Sequence, residues 1–224
     1  MQPLAATSPA SRRLSILGAT GSIGDSTLRV VDQHAEQFEF VALTAQKNAD
    51  KLIALAQKYR PEVVAIGDAS LAGDVKAALA PLNIRVLAGA EGVAEAASDY
   101  ADITMCAIVG AAGLIPTLNA ITHGRSVALA NKESLVCAGN LVAHACRKYG
   151  TQLLPVDSEH NAVFQVLNSE HDASEDKSRP FLSGILKQSF LLRFMRIVQE
   201  TVYIPTTGEL SHEVAVMLVL EGAV

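Results

Sequence analysis

The sequence predicts an α/β protein, a doubly wound parallel sheet, and three observations carry that prediction. From Leu14 onward, short β-type runs alternate with amphipathic runs. The amphipathic runs are of crossover length, ~10–15 residues, as in a parallel sheet covered on both faces. Three glycines at i, i+3 and i+6 (Gly18, Gly21 and Gly24) stand between the first strand and the first helix.

The elements follow in order. Strands are expected at Leu14–Leu17, Phe40–Thr44, Val63–Ile66, Arg85–Leu87, Ile103–Val109, Ser126–Ala130 and Gln152–Val156. Helices are expected near 22–33, 48–59, 70–80, 91–98, 113–123 and 133–149. In the second helix, Leu52, Leu55, Ala56 and Tyr59 keep one face at i, i+3, i+4, i+7 spacing. Asn48 and Ser70 stand where N-caps belong, because their side-chain oxygens can accept from the first turn.

Composition bounds the rest. The 224 residues are 50% apolar, enough for a sizeable core, with a net charge of −5. Aromatics are 4%, Trp is absent, and no long Lys/Arg run appears, which argues against a broad nucleic-acid surface. Cys106, Cys137 and Cys146 are too scattered for a disulfide scaffold or a zinc site and fit a reducing compartment. The longest nearly apolar run, Met105 to Pro116, is 12 residues, short of the ~20 that span a bilayer. A cytoplasmic protein with no membrane partner is expected. Residues 1–11 read as a disordered N-terminus. Residues 168–180 hold one apolar residue, Ala173, and read as a polar linker. Residues 181–224 hold three of the six Phe. Phe181 to Val198 reads as an amphipathic helix, with Leu191, Phe194, Met195 and Val198 on a packing stripe.

The glycine run makes the sheet Rossmann-type. A tight turn needs positive φ, a phosphate approaches backbone only where no side chain intervenes, and a helix start offers unpaired N–H groups. NAD sites place a carboxylate ~20 residues on, at the end of the second strand. Here that place reads Thr44-Ala45-Gln46-Lys47-Asn48. Lys47 supplies a cation and Asn48 a donor, which suits a 2′-phosphate, so NADP is expected over NAD. A solvated surface lysine is the alternative for Lys47.

Two more segments leave strands toward the same rim: Asn131-Lys132-Glu133-Ser134, and Asp157-Ser158-Glu159-His160-Asn161. In a parallel sheet all strand C-termini face one side, where ligands bind. Asp157 and Glu159, two apart in a loop, could reach one Mg²⁺ or Mn²⁺. They could equally serve as charge at the start of a following helix.

The chain resembles the 1-deoxy-D-xylulose 5-phosphate reductoisomerase family over about residues 12–167. The resemblance rests on Leu17-Gly18-Ala19-Thr20-Gly21-Ser22-Ile23-Gly24, on Ala128-Leu129-Ala130-Asn131-Lys132-Glu133-Ser134-Leu135-Val136, and on Pro155-Val156-Asp157-Ser158-Glu159-His160-Asn161-Ala162. It implies an NADPH-binding domain at 12–150, the start of a catalytic domain at 151–167, and a divergent tail at 181–224. It also implies conversion of 1-deoxy-D-xylulose 5-phosphate, a phosphosugar, to 2-C-methyl-D-erythritol 4-phosphate in non-mevalonate isoprenoid biosynthesis. By this likeness Thr20, Gly21, Ser22, Ile23, Lys47, Asn48, Asn131 and Glu133 contact NADPH. Lys132 and Ser158 contact substrate. Asp157 and Glu159 bind the divalent cation (Mn²⁺ or Mg²⁺), and Glu159 also touches substrate. A homodimer is open on the same ground. The family often has Gly where this chain has Gln46.

After residue 167 the family's Ser-Gly-Gly, His-Pro-Asn-Trp and Asn-Lys-Gly-x-Glu segments are not found. A truncation, a frameshift or a fusion would each give that pattern. The chain alone is therefore expected to be inactive or nearly so. The rival readings are a non-catalytic NADP-binding fragment, an NADP oxidoreductase for another small molecule, and an interaction protein using the Phe181–Val198 helix.

Overall fold

The first strand, β1 (Arg12–Leu17), is buried from Leu14 to Leu17 and lies at the centre of a seven-stranded sheet. The structure is a computed structural model and describes residues 11–156. The other strands are β2 (Phe38–Ala45), β3 (Val63–Ile66), β4 (Arg85–Ala88), β5 (Ile103–Cys106), β6 (Ser126–Leu129) and β7 (Gln152–Pro155). Their order is β4-β3-β2-β1-β5-β6-β7, and every pairing is parallel. The helices are α1 (Ser22–Asp32), α2 (Ala49–Tyr59), α3 (Ala72–Leu79), α4 (Gly89–Ala96), α5 (Leu114–His123) and α6 (Lys132–Tyr149).

The helices divide between the two faces. Leu28 and Val31 of α1, Leu52 and Ala56 of α2, and Val75 and Leu79 of α3 pack with Leu14 and Ile16 of β1. On the other face Val93 and Ala96 of α4 pack on Val41, Val63 and Ala65. There too, Ile121 of α5 and Val142 and Cys146 of α6 pack on Val127, Leu129 and Leu153. Strands buried on both sides cannot alternate apolar with polar, which is why they read as short continuous runs. One bulge adjusts the pattern. Leu14 pairs Phe40 and Ser15 pairs Ala42, so Val41 is an extra residue in β2. It lets Phe40 and Leu43, three apart, face the same core.

Crossovers α1 to α3 carry the chain outward from β1 to β4. Helix α4 then returns it to β5 on the other side of β1. The connections part at the C-terminal ends of β1 and β5, which makes a crevice there.

Most boundaries fall within one or two residues of expectation, α4 for example running Gly89–Ala96 rather than 91–98 and β2 starting at Phe38 rather than Phe40, and several of the differences have a visible cause. β1 starts at Arg12: the Arg12 guanidinium lies 4.8 Å from the Phe38 ring centroid, and the Arg13 amide donates to Asp102 at 2.9 Å. Asn48 caps α2 as expected, accepting from the Lys51 amide at 3.1 Å. Ser70 is not a cap, because the Asp68 carboxylate takes its amide at 3.1 Å and its hydroxyl at 2.6 Å. That closes a short 3₁₀ turn, Ala69–Leu71, and delays α3 to Ala72. β5 stops at Cys106 rather than Val109, and Val109 is 83% exposed. Gly110, at φ +78°, turns the chain toward α5. β6 stops at Leu129, one residue short of Ala130.

Cys106 and Cys146 are buried and Cys137 is exposed, all as free thiols. Among the described residues no helix is long and apolar enough to cross a membrane. The expected N-terminal disorder falls almost wholly outside the described residues, and the linker at 168–180 and the Phe181–Val198 helix do so entirely.

Candidate functional site

The site is built at the C-terminal rim, where β1 passes into α1. Gly18 has φ +91°, and a Cβ there would lie 2.7 Å from the Ala107 carbonyl oxygen. Gly24 lies inside α1, where a Cβ would stand 2.5 Å from the Ala19 carbonyl oxygen. Both glycines are thus required by the protein's own packing, one against the end of β5 and one between helix and turn. Gly21 differs. Its φ of −87° and ψ of 177° suit any residue, and a Cβ there would meet only the Gly18 oxygen at 3.4 Å, an ordinary contact. It is exposed and occupies the N-cap of α1, where it has no side chain to accept from the first-turn N–H groups. The protein's own packing does not need a glycine there, and the bare cap leaves the first-turn N–H groups of α1 uncovered, a geometry suited to an anion.

The turn is held from β2. The Gly18 amide donates to Thr44 Oγ1 at 2.9 Å, and the Ala19 amide to the Thr44 carbonyl at 2.8 Å. Thr44 is 1% exposed. Sequence reasoning passed over it; the only signal was a polar residue inside an apolar strand. Lys51 Nζ donates to the Thr20 carbonyl at 3.2 Å and pairs with Asp25 at 2.7 Å.

At the end of β2, Lys47 and Asn48 are exposed. The Asn48 oxygen is committed to the cap of α2, so its amide nitrogen is what it can offer an anion. The Gln46 side chain lies on Gly67, where a Cβ would come 2.3 Å from Gln46 Oε1. Gly67 therefore makes room for the Gln46 side chain. Hydrogen bonds from Ser70, with Lys47 nearby, hold the Asp68 carboxyl below its ordinary value.

At the third segment, Asn131 is 2% exposed. Its amide nitrogen donates to the Gly110 carbonyl at 2.9 Å and to the Ile108 carbonyl. Its oxygen accepts from the Ser134 amide at 2.7 Å and from the Ser134 hydroxyl. Two donated and two accepted bonds use the whole amide. The side chain ties the β5–α5 turn to the start of α6 and leaves only backbone for a ligand. Gly113 permits this, since a Cβ there would stand 2.5 Å from Asn131 Nδ2. Lys132, exposed, and Glu133, half-buried, begin α6 on the same rim.

Thr20, Gly21, Ser22 and Ile23 thus share the rim with Lys47, Asn48, Asn131, Lys132 and Glu133, each at the C-terminal end of β1, β2 or β6. β7 also leaves the sheet there, its last bond running from the Val156 amide to the Leu129 carbonyl at 3.0 Å. Asp157, Ser158 and Glu159 follow immediately and lie outside the described residues. Among the described residues no group of three His, Cys, Asp or Glu could hold a metal ion.

Comparison with known proteins gives one family. The profile of 1-deoxy-D-xylulose 5-phosphate reductoisomerase matches residues 14–139. The reductoisomerase of Laribacter hongkongensis is 46% identical over 168 residues, 75% of this chain and 43% of its own length. That of Zymomonas mobilis is 51% identical over 154 residues, 69% of this chain and 40% of its own length. The solved Zymomonas mobilis structure, in complex with NADPH, superposes with a TM-score of 0.68 at 49% identity, covering 70% of this chain and 42% of that one. A reductoisomerase in complex with NADPH, fosmidomycin and magnesium superposes with a TM-score of 0.66 at 42% identity, covering 72% and 42%. The chain spans less than half the length of these relatives.

Proposed function

Because the chain belongs to the 1-deoxy-D-xylulose 5-phosphate reductoisomerase family, we propose that residues 12–150 are an NADPH-binding domain serving that reaction. In this reading residues 151–167 begin the catalytic domain. The reaction is the metal-assisted conversion of 1-deoxy-D-xylulose 5-phosphate to 2-C-methyl-D-erythritol 4-phosphate. The observation that carries it is the exposed Gly21 cap, which leaves the open end of α1 uncovered at the rim although the packing would admit a side chain there. Lys47, at a β2 end without a carboxylate, supports a 2′-phosphate over a bare ribose.

In this reading Thr20, Gly21, Ser22 and Ile23 receive the pyrophosphate. Lys47 and the Asn48 amide receive the 2′-phosphate. Asn131 contributes through its backbone, beside Glu133. When bound, NADPH supplies hydride, and a divalent cation offsets charge on the rearranging oxygens. Lys132 places a cation and proton donor beside those oxygens, with Ser158 as a second substrate contact. Asp157 and Glu159 are hard oxygen donors of the type such a cation takes.

Fluorescence titration with NADPH and NADH tests the cofactor assignment. The unaltered chain is expected to prefer NADPH. Lys47→Asp should erase or invert that preference, since a charge-assisted contact contributes ~1.5–3 kcal/mol, about 10- to 150-fold. Equal affinities for both dinucleotides in the unaltered chain would refute it.

A further inference from the structure

Lys51 breaks a local rule. It is the third residue of α2, where the helix dipole disfavours a cation. Its side chain reaches back across the rim instead, with Nζ 2.7 Å from Asp25 Oδ2 and 3.2 Å from the Thr20 carbonyl. An ion pair this exposed, one-third at the lysine and 43% at the aspartate, contributes little to stability. Its location is the informative part. Asp25 lies in the first turn of α1, the helix whose open end is capped by Gly21. A carboxylate there suits a bare helix but repels an anion seated on the same N–H groups. Thr20 lies within the glycine turn itself, so a bond to its carbonyl fixes the peptide that leads into Gly21.

We propose that Lys51 is a positioning residue of the dinucleotide site. It cancels the Asp25 carboxylate and anchors the Thr20 carbonyl, so that the start of α1 accepts a pyrophosphate. This rests on the dinucleotide reading above and deepens it: Lys47 discriminates between cofactors, whereas Lys51 serves the part that NADPH and NADH share.

The test uses the full 224-residue chain, titrated with NADPH and with NADH by fluorescence, alongside thermal unfolding. Lys51→Met should weaken both dinucleotides by the same factor, about tenfold, while moving the melting temperature by less than about 2 °C. Adding Asp25→Asn to Lys51→Met should recover most of the loss. Lys51→Arg, which keeps the cation and its donors, should bind within about twofold of the unaltered chain. If Lys51→Met does not fold, the neutral Lys51→Gln is read the same way. Unchanged affinity in the neutral variant overturns the proposal. So does a loss confined to NADPH, which would put Lys51 on the 2′-phosphate itself, and so does failure of Asp25→Asn to restore binding. An unaltered chain that binds neither dinucleotide overturns the cofactor reading together with this one, a result distinct from loss in the variant alone.

Discussion

The same substitution made at the three motif glycines should give opposite outcomes. Gly18→Ala forces a side chain into φ +91° with its Cβ 2.7 Å from the Ala107 oxygen. The left-handed backbone costs ~1–2 kcal/mol and the overpacking ~1–3 kcal/mol, together ~2–5 kcal/mol. Gly24→Ala keeps a helical backbone but drives a Cβ to 2.5 Å from the Ala19 oxygen, an overpacking cost of ~1–3 kcal/mol. Gly21→Ala meets only a 3.4 Å contact at an allowed φ of −87°. The entropy it removes from the unfolded chain stabilises by ~0.4–1 kcal/mol, and the poorer N-cap costs a similar amount, so stability should hold within ~0.5 kcal/mol. Its methyl group would instead occupy the approach to the N–H groups of α1, and NADPH affinity should fall at least about tenfold. Thermal unfolding followed by circular dichroism separates the cases, at ~2–4 °C per kcal/mol for a domain of this size. Gly18→Ala should melt about 4–20 °C lower on that scale, whereas Gly21→Ala should melt unchanged and bind poorly. A Gly21→Ala chain that binds NADPH as tightly as the unaltered one would refute the assignment of that glycine to a ligand. A stable Gly18→Ala chain would refute the packing argument.

Further outcomes follow from buried groups. Asn131→Asp puts an acceptor where two donors meet the Ile108 and Gly110 carbonyls. It should cost ~2–4 kcal/mol in urea unfolding, and a change under ~0.5 kcal/mol would contradict the tie. A thiol reagent at mild alkaline pH should titrate Cys137 in the folded chain and reach Cys106 and Cys146 only after unfolding. Rapid native labelling of more than one of these three thiols would contradict their burial. Burial pushes the Cys106 thiol from 9.0 up to about 12 and Cys146 up to about 11. A folded pKa above the unfolded one gives stability that is complete below pH 9.0 and lost as pH rises toward about 12. Unfolding free energy should therefore fall over that window, and Cys106→Ala should flatten the fall.

Among the described residues the seven strands and six α-helices each lie within a few residues of where the sequence places them, because periodicity and burial on two faces are written locally in each run. The glycine turn and the acid-free end of β2 were legible for the same reason. A motif that works through backbone needs no distant partner to be seen. Other features required the tertiary structure, since each depends on residues brought together from far along the chain. The strand order put Ala107 against Gly18, which divides three similar glycines into two that the fold needs and one that its packing leaves open. Thr44 grips Gly18 from 26 residues away. Lys51 reaches Thr20 across 31, against its own helix dipole. Asn131 reads in sequence as a ligand contact, yet its amide is consumed by Ser134 and by carbonyls 21 and 23 residues upstream. A side chain's valences are finite, and which partner takes them is decided by packing, not by the motif that contains the residue.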